Sequence, residues 1–108
     1  VTAKAYDQVS VFDAARLFAQ CEGFVPAPET AHAVKFVIDE AIRCKEAGEE
    51  KTILLNFTGH GLLDLKAYEE YLSGNLKPYH YSESEIKAGI EKLLRELPWI
   101  KDLPFLKE

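Results

Sequence analysis

The stretch LLNFTGHG, residues 54–61, carries chemistry that a plain turn does not need. Thr58 ends an apolar run with a hydroxyl, and Gly59 and Gly61 flank His60. Such a hydroxyl either closes a turn through a local backbone bond or offers a neutral hydrogen-bonding group to a ligand. The glycines allow close approach of backbone to a ligand, and the amides of a Gly-His-Gly turn can receive an anion. Glu29, in PAPETAH, is the second candidate. A carboxylate in the first turn of a helix complements the helix dipole by about 0.3–1 kcal/mol, or serves a ligand as an acidic group. The three histidines, His32, His60 and His80, share neither helical nor strand spacing, which predicts no metal site.

The elements that must position these residues follow from periodicity. Ser10 and Asp13 resemble a capping box, with Val11, Phe12, Ala15, Leu17, Phe18 and Cys21 striping a first helix that Gly23 stops. Apolar residues at Ala31, Val34, Val37, Ile38, Ala41 and Ile42 predict a second helix from Pro28 to Ala47, with Gly48 beyond it. FVPAP reads as a short strand broken by proline, and TILLNF (52–57) as a strand covered on both faces. Asp64 caps a third helix through Leu72. Ser82 and Glu85 form a capping box for a fourth, striped by Ile86, Ile90, Leu93, Leu94 and Leu97. Tyr68, Tyr71, Tyr79 and Tyr81 are expected to pack against that fourth helix.

Strand, helix, strand at this spacing predicts an α/β fold: a small βαβ unit with a short parallel two-stranded sheet and about four helices. In a parallel sheet the loops leaving the carboxyl ends of the strands share one edge, so PAPE and TGHG would bring Glu29 and Thr58 together. Two strands alone are marginal, which makes the unit read as a piece of a larger sheet. The 108 residues are expected to form one domain (1–108), with residues 82–108 as a C-terminal helix and tail packed on a neighbouring surface.

Composition narrows the function classes. A net charge of −5, with basic residues scattered singly, argues against a nucleic-acid partner. No apolar stretch approaches the ~18 residues a membrane helix needs, and no export signal is visible. A cytoplasmic protein is expected, with Cys21 and Cys44 as two buried, reduced thiols. The chain has no methionine and begins with valine, which suggests a processed or cut piece or an unusual start codon. Unpaired strand edges and the apolar tail predict a homo-oligomer.

The motifs EGFVPAPETAHAV and LLNFTGHGLLDLKAYEEYL, in this order and spacing, resemble the carboxyl-terminal part of tryptophan synthase β chains of the stand-alone type. That resemblance implies a fold-type-II pyridoxal-phosphate enzyme joining serine to indole by β-replacement. It implies that Thr58 stands where the family's serine partners the pyridine nitrogen, that Glu29 is the cofactor-facing glutamate, and that Gly59 lets the backbone approach the ring. Threonine here replaces serine, keeping the hydroxyl and adding a methyl that narrows its rotamers. The family's Schiff-base lysine motif and its GGGSN phosphate loop are missing from this sequence. The resemblance therefore implies a missing N-terminal portion as partner, and a chain that alone neither binds pyridoxal phosphate nor catalyses. The alternative is a non-enzymatic, free-standing α/β oligomerisation or binding module; a weaker one is an anion-binding regulatory domain using TGHG.

Overall fold

The computed structural model describes residues 2–102, which form four α-helices and two 3₁₀ turns. Helix α1 spans Gln8–Glu22, α2 Pro28–Ala47, α3 Leu65–Leu72 and α4 Glu83–Glu96; the 3₁₀ turns are Gly61–Leu63 and Pro98–Asp102.

The start of α1 is capped three residues before the expected Ser10. The cap is Asp7, whose Oδ1 accepts from the amides of Val9 (3.0 Å) and Ser10 (3.1 Å), while Ser10 Oγ donates to the Asp7 carbonyl. Helix α2 keeps its expected bounds. Proline supplies the preset φ of its first position, and Gly48 ends it in a left-handed conformation at φ 65°. Asp64 does precede α3, but it caps through its backbone carbonyl, which accepts from Ala67 and Tyr68, and its side chain makes no cap bond. The Ser82–Glu85 capping box of α4 forms as expected, with each residue's side chain bonded to the other's amide.

The core lies where α1 crosses α2. Val11, Phe12, Ala14 and Ala15 of α1 are buried with Ala31 and Val34 of α2, and the two alanines Ala15 and Ala31 let the backbones approach. Tyr68 of α3 closes this cluster, its ring edge-on to Phe12 at 4.9 Å. Tyr71 stacks on the same Phe12 at 5.6 Å, so these two tyrosines pack on α1. Tyr79 and Tyr81 instead pair with each other, and the Tyr79 hydroxyl donates to Glu85 in the first turn of α4.

The expected α/β unit is absent: among the described residues there is no strand and no parallel two-stranded sheet. Among the described residues the only β-pairing is one antiparallel bridge between Pro26 and His60. Two physical reasons account for this. The stretch FVPAP carries prolines at 26 and 28, each without an N–H for a ladder. The run TILLNF forms no strand, and Leu54 stands 95% exposed. Its continuous apolar character describes a need for cover on both faces that these residues leave unmet.

Helix α4 stands largely apart. None of its residues is buried, and it packs mainly on the Pro98–Asp102 turn that follows it. The radius of gyration, 17.2 Å, exceeds the roughly 13 Å of a compact domain of this length. The expected packing of the tail extends to residues 103–108, which lie outside the described residues. Cys44 is buried and Cys21 is exposed, so only one of the two expected buried thiols is interior; neither forms a disulfide.

Candidate functional site

Two loops meet at the amino-terminal end of α2. The Gly61 amide donates to the Val25 carbonyl at 2.7 Å, one residue beside the Pro26–His60 bridge. Gly59, at φ 71°, carries the turn across Ala27, so close that a β-carbon built on it would lie 3.5 Å from Ala27 Cβ. Gly61 is tighter still. A β-carbon there would lie 2.5 Å from the Pro26 carbonyl oxygen, 2.8 Å from Val25 Cγ1 and 2.9 Å from Tyr68 Cε2. No side chain fits that space, and this explains the second glycine of TGHG: it seats one backbone on another.

Tyr68 locks the seat from below. Its buried hydroxyl donates to the Pro26 carbonyl at 2.5 Å. Burial, with a smaller contribution from the Asp64 charge, pushes the phenol up to about 12, so it stays a neutral donor at ordinary pH. The YEEYL segment thus holds the PAP loop through one phenol, a link that no local sequence signal announces.

The rim that results carries two hydroxyls. Thr58 Oγ1 lies 3.3 Å from Thr30 Oγ1. Thr30 is 2% exposed and is the third residue of α2; Thr58 is exposed. Glu29, the residue before Thr30, is exposed in the first turn of the same helix. The sequence-derived candidates Glu29, Thr58 and Gly59 therefore fall on adjoining segments, brought together by an antiparallel contact rather than by the parallel strands expected. Thr30 was missed. Its burial depends on the arrival of residues 58–61 above it, and PAPET alone carries no sign of that.

His60 is exposed, and its Nδ1 accepts from the Leu62 amide at 3.3 Å, a local cap of the 3₁₀ turn. His32 and His80 are exposed elsewhere, and among the described residues no three histidine, cysteine, aspartate or glutamate side chains converge. A 370 Å³ cleft opens between His32 and Phe36 of α2, residues 53–56 and Lys4 and Tyr6, but neither Thr58 nor Glu29 lines it. At the rim only the Thr58 hydroxyl of the pair is exposed, with the Thr30 hydroxyl buried beneath it. Among the described residues no helix is long and apolar enough to cross a membrane.

What this arrangement can do follows from its donors. Thr58 offers a neutral hydroxyl, able to donate or accept, at an open edge beside Gly59, and the helix it contacts carries the Glu29 carboxylate in its first turn. This helical segment with its hydroxyl-bearing glycine turn is homologous to part of the tryptophan synthase β chains. It is 61% identical over 85 residues to the tryptophan synthase beta chain of Thermococcus onnurineus, covering 79% of this chain and 19% of that protein. It is 63% identical over 75 residues to the tryptophan synthase beta chain of Pyrococcus horikoshii, covering 69% of this chain and 16% of that one. With tryptophan synthase beta chain 2 of Aquifex aeolicus it shares 60% identity over 76 residues, 70% of this chain and 18% of the relative. The chain thus spans less than a fifth of the length of the curated relatives it matches. No family model matches it.

Proposed function

We propose that this chain supplies one wall of the cofactor site in a pyridoxal-phosphate-dependent, tryptophan synthase β-like lyase. It corresponds to the carboxyl-terminal part of such an enzyme, and the reaction joins serine to indole in tryptophan biosynthesis. The observation that carries the reading is the 3.3 Å contact between Thr58 and Thr30, which joins the TGHG turn to the helix that begins with Glu29.

The donor chemistry fits one edge of the cofactor. Thr58 offers a hydroxyl to the pyridine nitrogen, and a neutral hydroxyl leaves that nitrogen unprotonated where a carboxylate would favour the pyridinium. Gly59 leaves the ring edge unobstructed. Glu29 places a carboxylate beside the ring and the reacting carbons, where it can orient substrate or hold a proton. When bound, pyridoxal phosphate supplies an electron sink for chemistry at the substrate's α- and β-carbons. Its covalent anchor and phosphate cradle come from polypeptide outside this sequence, which has no matching lysine or glycine-rich loop. The active species is therefore this chain joined to the amino-terminal portion of a β chain, in the cytoplasm.

The test is to mix or fuse the chain with that amino-terminal portion and record pyridoxal-phosphate absorbance and serine-dependent tryptophan formation. Both are expected to appear in the mixture and in neither part alone. A mixture without cofactor absorbance overturns the proposal.

One observation favours a second role, self-association. Ile86, Ile90 and Leu93 fall on one side of α4, Leu97 follows as its C-cap, and all four are exposed. A homo-oligomer would cover them, and sedimentation should show a mass rising with concentration; a constant monomer mass would count against it.

A further inference from the structure

We propose that Thr30 is a positioning residue: its hydroxyl donates to Thr58 Oγ1 and so turns the single proton of Thr58 outward, toward a neutral ring nitrogen. The proposal deepens the cofactor-rim reading and rests on it.

A hydroxyl has one proton and two lone pairs. If Thr58 gives its proton to Thr30, the rim presents only lone pairs, which repel the lone pair of an unprotonated nitrogen. If Thr30 gives its proton to Thr58, the rim presents a donor. The direction of one buried hydrogen bond therefore decides whether the rim accepts the ring.

Three features set that direction. A threonine hydroxyl inside a helix usually donates to the carbonyl four residues back, which for Thr30 is Pro26. That carbonyl is held by the Tyr68 phenol at 2.5 Å. Thr30 is almost entirely shut from solvent, and Thr58 is the partner that satisfies its hydroxyl. Thr58 itself is exposed and can send its proton to the open side. With an acceptor at the rim, the run from Thr30 to Thr58 to ring nitrogen is a chain of like-directed hydrogen bonds, each polarising the next. β-branching stiffens both side chains about χ1, which keeps the alignment. Proton order passes along this chain without any bond being made or broken.

The experiment uses the complete, cofactor-loaded enzyme containing this segment, with pyridoxal phosphate labelled with ¹⁵N in its ring. The readouts are the ring-nitrogen chemical shift and the cofactor dissociation constant. Thr30→Val keeps the shape and removes the hydroxyl. It is expected to move the nitrogen resonance toward that of a nitrogen without a hydrogen bond, as Thr58→Val does, and to weaken cofactor binding about 3–10-fold. Thr30→Ser is expected to restore the wild-type shift. Tyr68→Phe frees the Pro26 carbonyl to draw the Thr30 proton away, so it is expected to move the resonance the same way with Thr30 intact. It serves as the reading where Thr30→Val fails to fold. If Thr58→Val moves the resonance while neither Thr30→Val nor Tyr68→Phe does, the positioning role is overturned and the rim reading stands. If Thr58→Val also leaves it unchanged, the rim reading fails and the positioning role with it.

Discussion

Replacing Gly61 with alanine should be among the most damaging single-methyl additions in the chain. The added carbon would lie 2.5 Å from the Pro26 oxygen, 2.8 Å from Val25 Cγ1 and 2.9 Å from Tyr68 Cε2. Ordinary contact needs roughly 3.5 Å, so the turn must lift by about 1 Å. The nearest obstacle is backbone, and that same carbonyl anchors the Tyr68 phenol. Lifting the turn stretches the bond from the Gly61 amide to Val25 beyond its 2.7 Å. One weakened hydrogen bond of about 1 kcal/mol and an overpacking cost of about 1–3 kcal/mol sum to roughly 3 kcal/mol. With a urea m-value of about 2 kcal/mol/M, the unfolding midpoint should fall by about 1.5 M. Far-UV circular dichroism in a urea titration of the 108-residue chain reads this directly. A midpoint within about 0.3 M of wild type would refute the claim that the turn is seated backbone on backbone.

Gly89 makes the matched contrast: it sits mid-helix in α4 with open space around its missing side chain, so Gly89→Ala should stabilise α4 by about 0.5–1 kcal/mol, seen as a gain in helical ellipticity. Asp7→Ala removes the side chain that accepts from two amides at the start of α1, and should cost about 1 kcal/mol in the same urea titration; Ser10→Ala should cost less, since Ser10 is not the cap. The Glu85 carboxyl is held at about 2, below its ordinary 4.5, first by the Ser82 hydroxyl and then by the Ser82 amide and the Tyr79 hydroxyl. Because the folded value is depressed, its contribution is fully present above pH 4.5 and is lost as pH falls toward 2. Ellipticity at 222 nm should therefore drop across that window in the wild type and less steeply in Glu85→Gln; parallel curves would contradict the capping box.

What could be read from the sequence was what neighbours in sequence decide. Pro28 and Gly48 bound α2, and Ser82 with Glu85 opens α4, because each signal acts within one helical turn. The start of α1 was misplaced by a similar local rule. Ser10 with Asp13 fits a capping box, but Asp7 accepts the first amides, so Gln8 and Val9 join the helix. The sheet failed for a different reason. TILLNF has the composition of a buried strand, but pairing requires a partner, and the other extended stretch is interrupted by prolines. At the site, the meeting of the PAPE and TGHG segments was anticipated from a topology that does not exist here. The actual cause is a glycine seated against the Pro26 carbonyl, which in turn accepts from the Tyr68 phenol forty-two positions further along the chain. Thr30 escaped notice, and Tyr68 was expected on the fourth helix rather than on α1 and the PAP loop, because their roles arise only from contacts distant in sequence.

The gap between the two loops is fixed by main-chain atoms: an amide on Val25, a bridge at Pro26, a carbonyl under Tyr68. Side chains at 58 and 60 add a hydroxyl contact to Thr30 and a cap on the following turn. Exchanging them changes which groups face outward and leaves the frame's dimensions as they were. Such a layout lets the outward groups change by single substitutions while the mounting stays constant, provided Gly61 itself is kept.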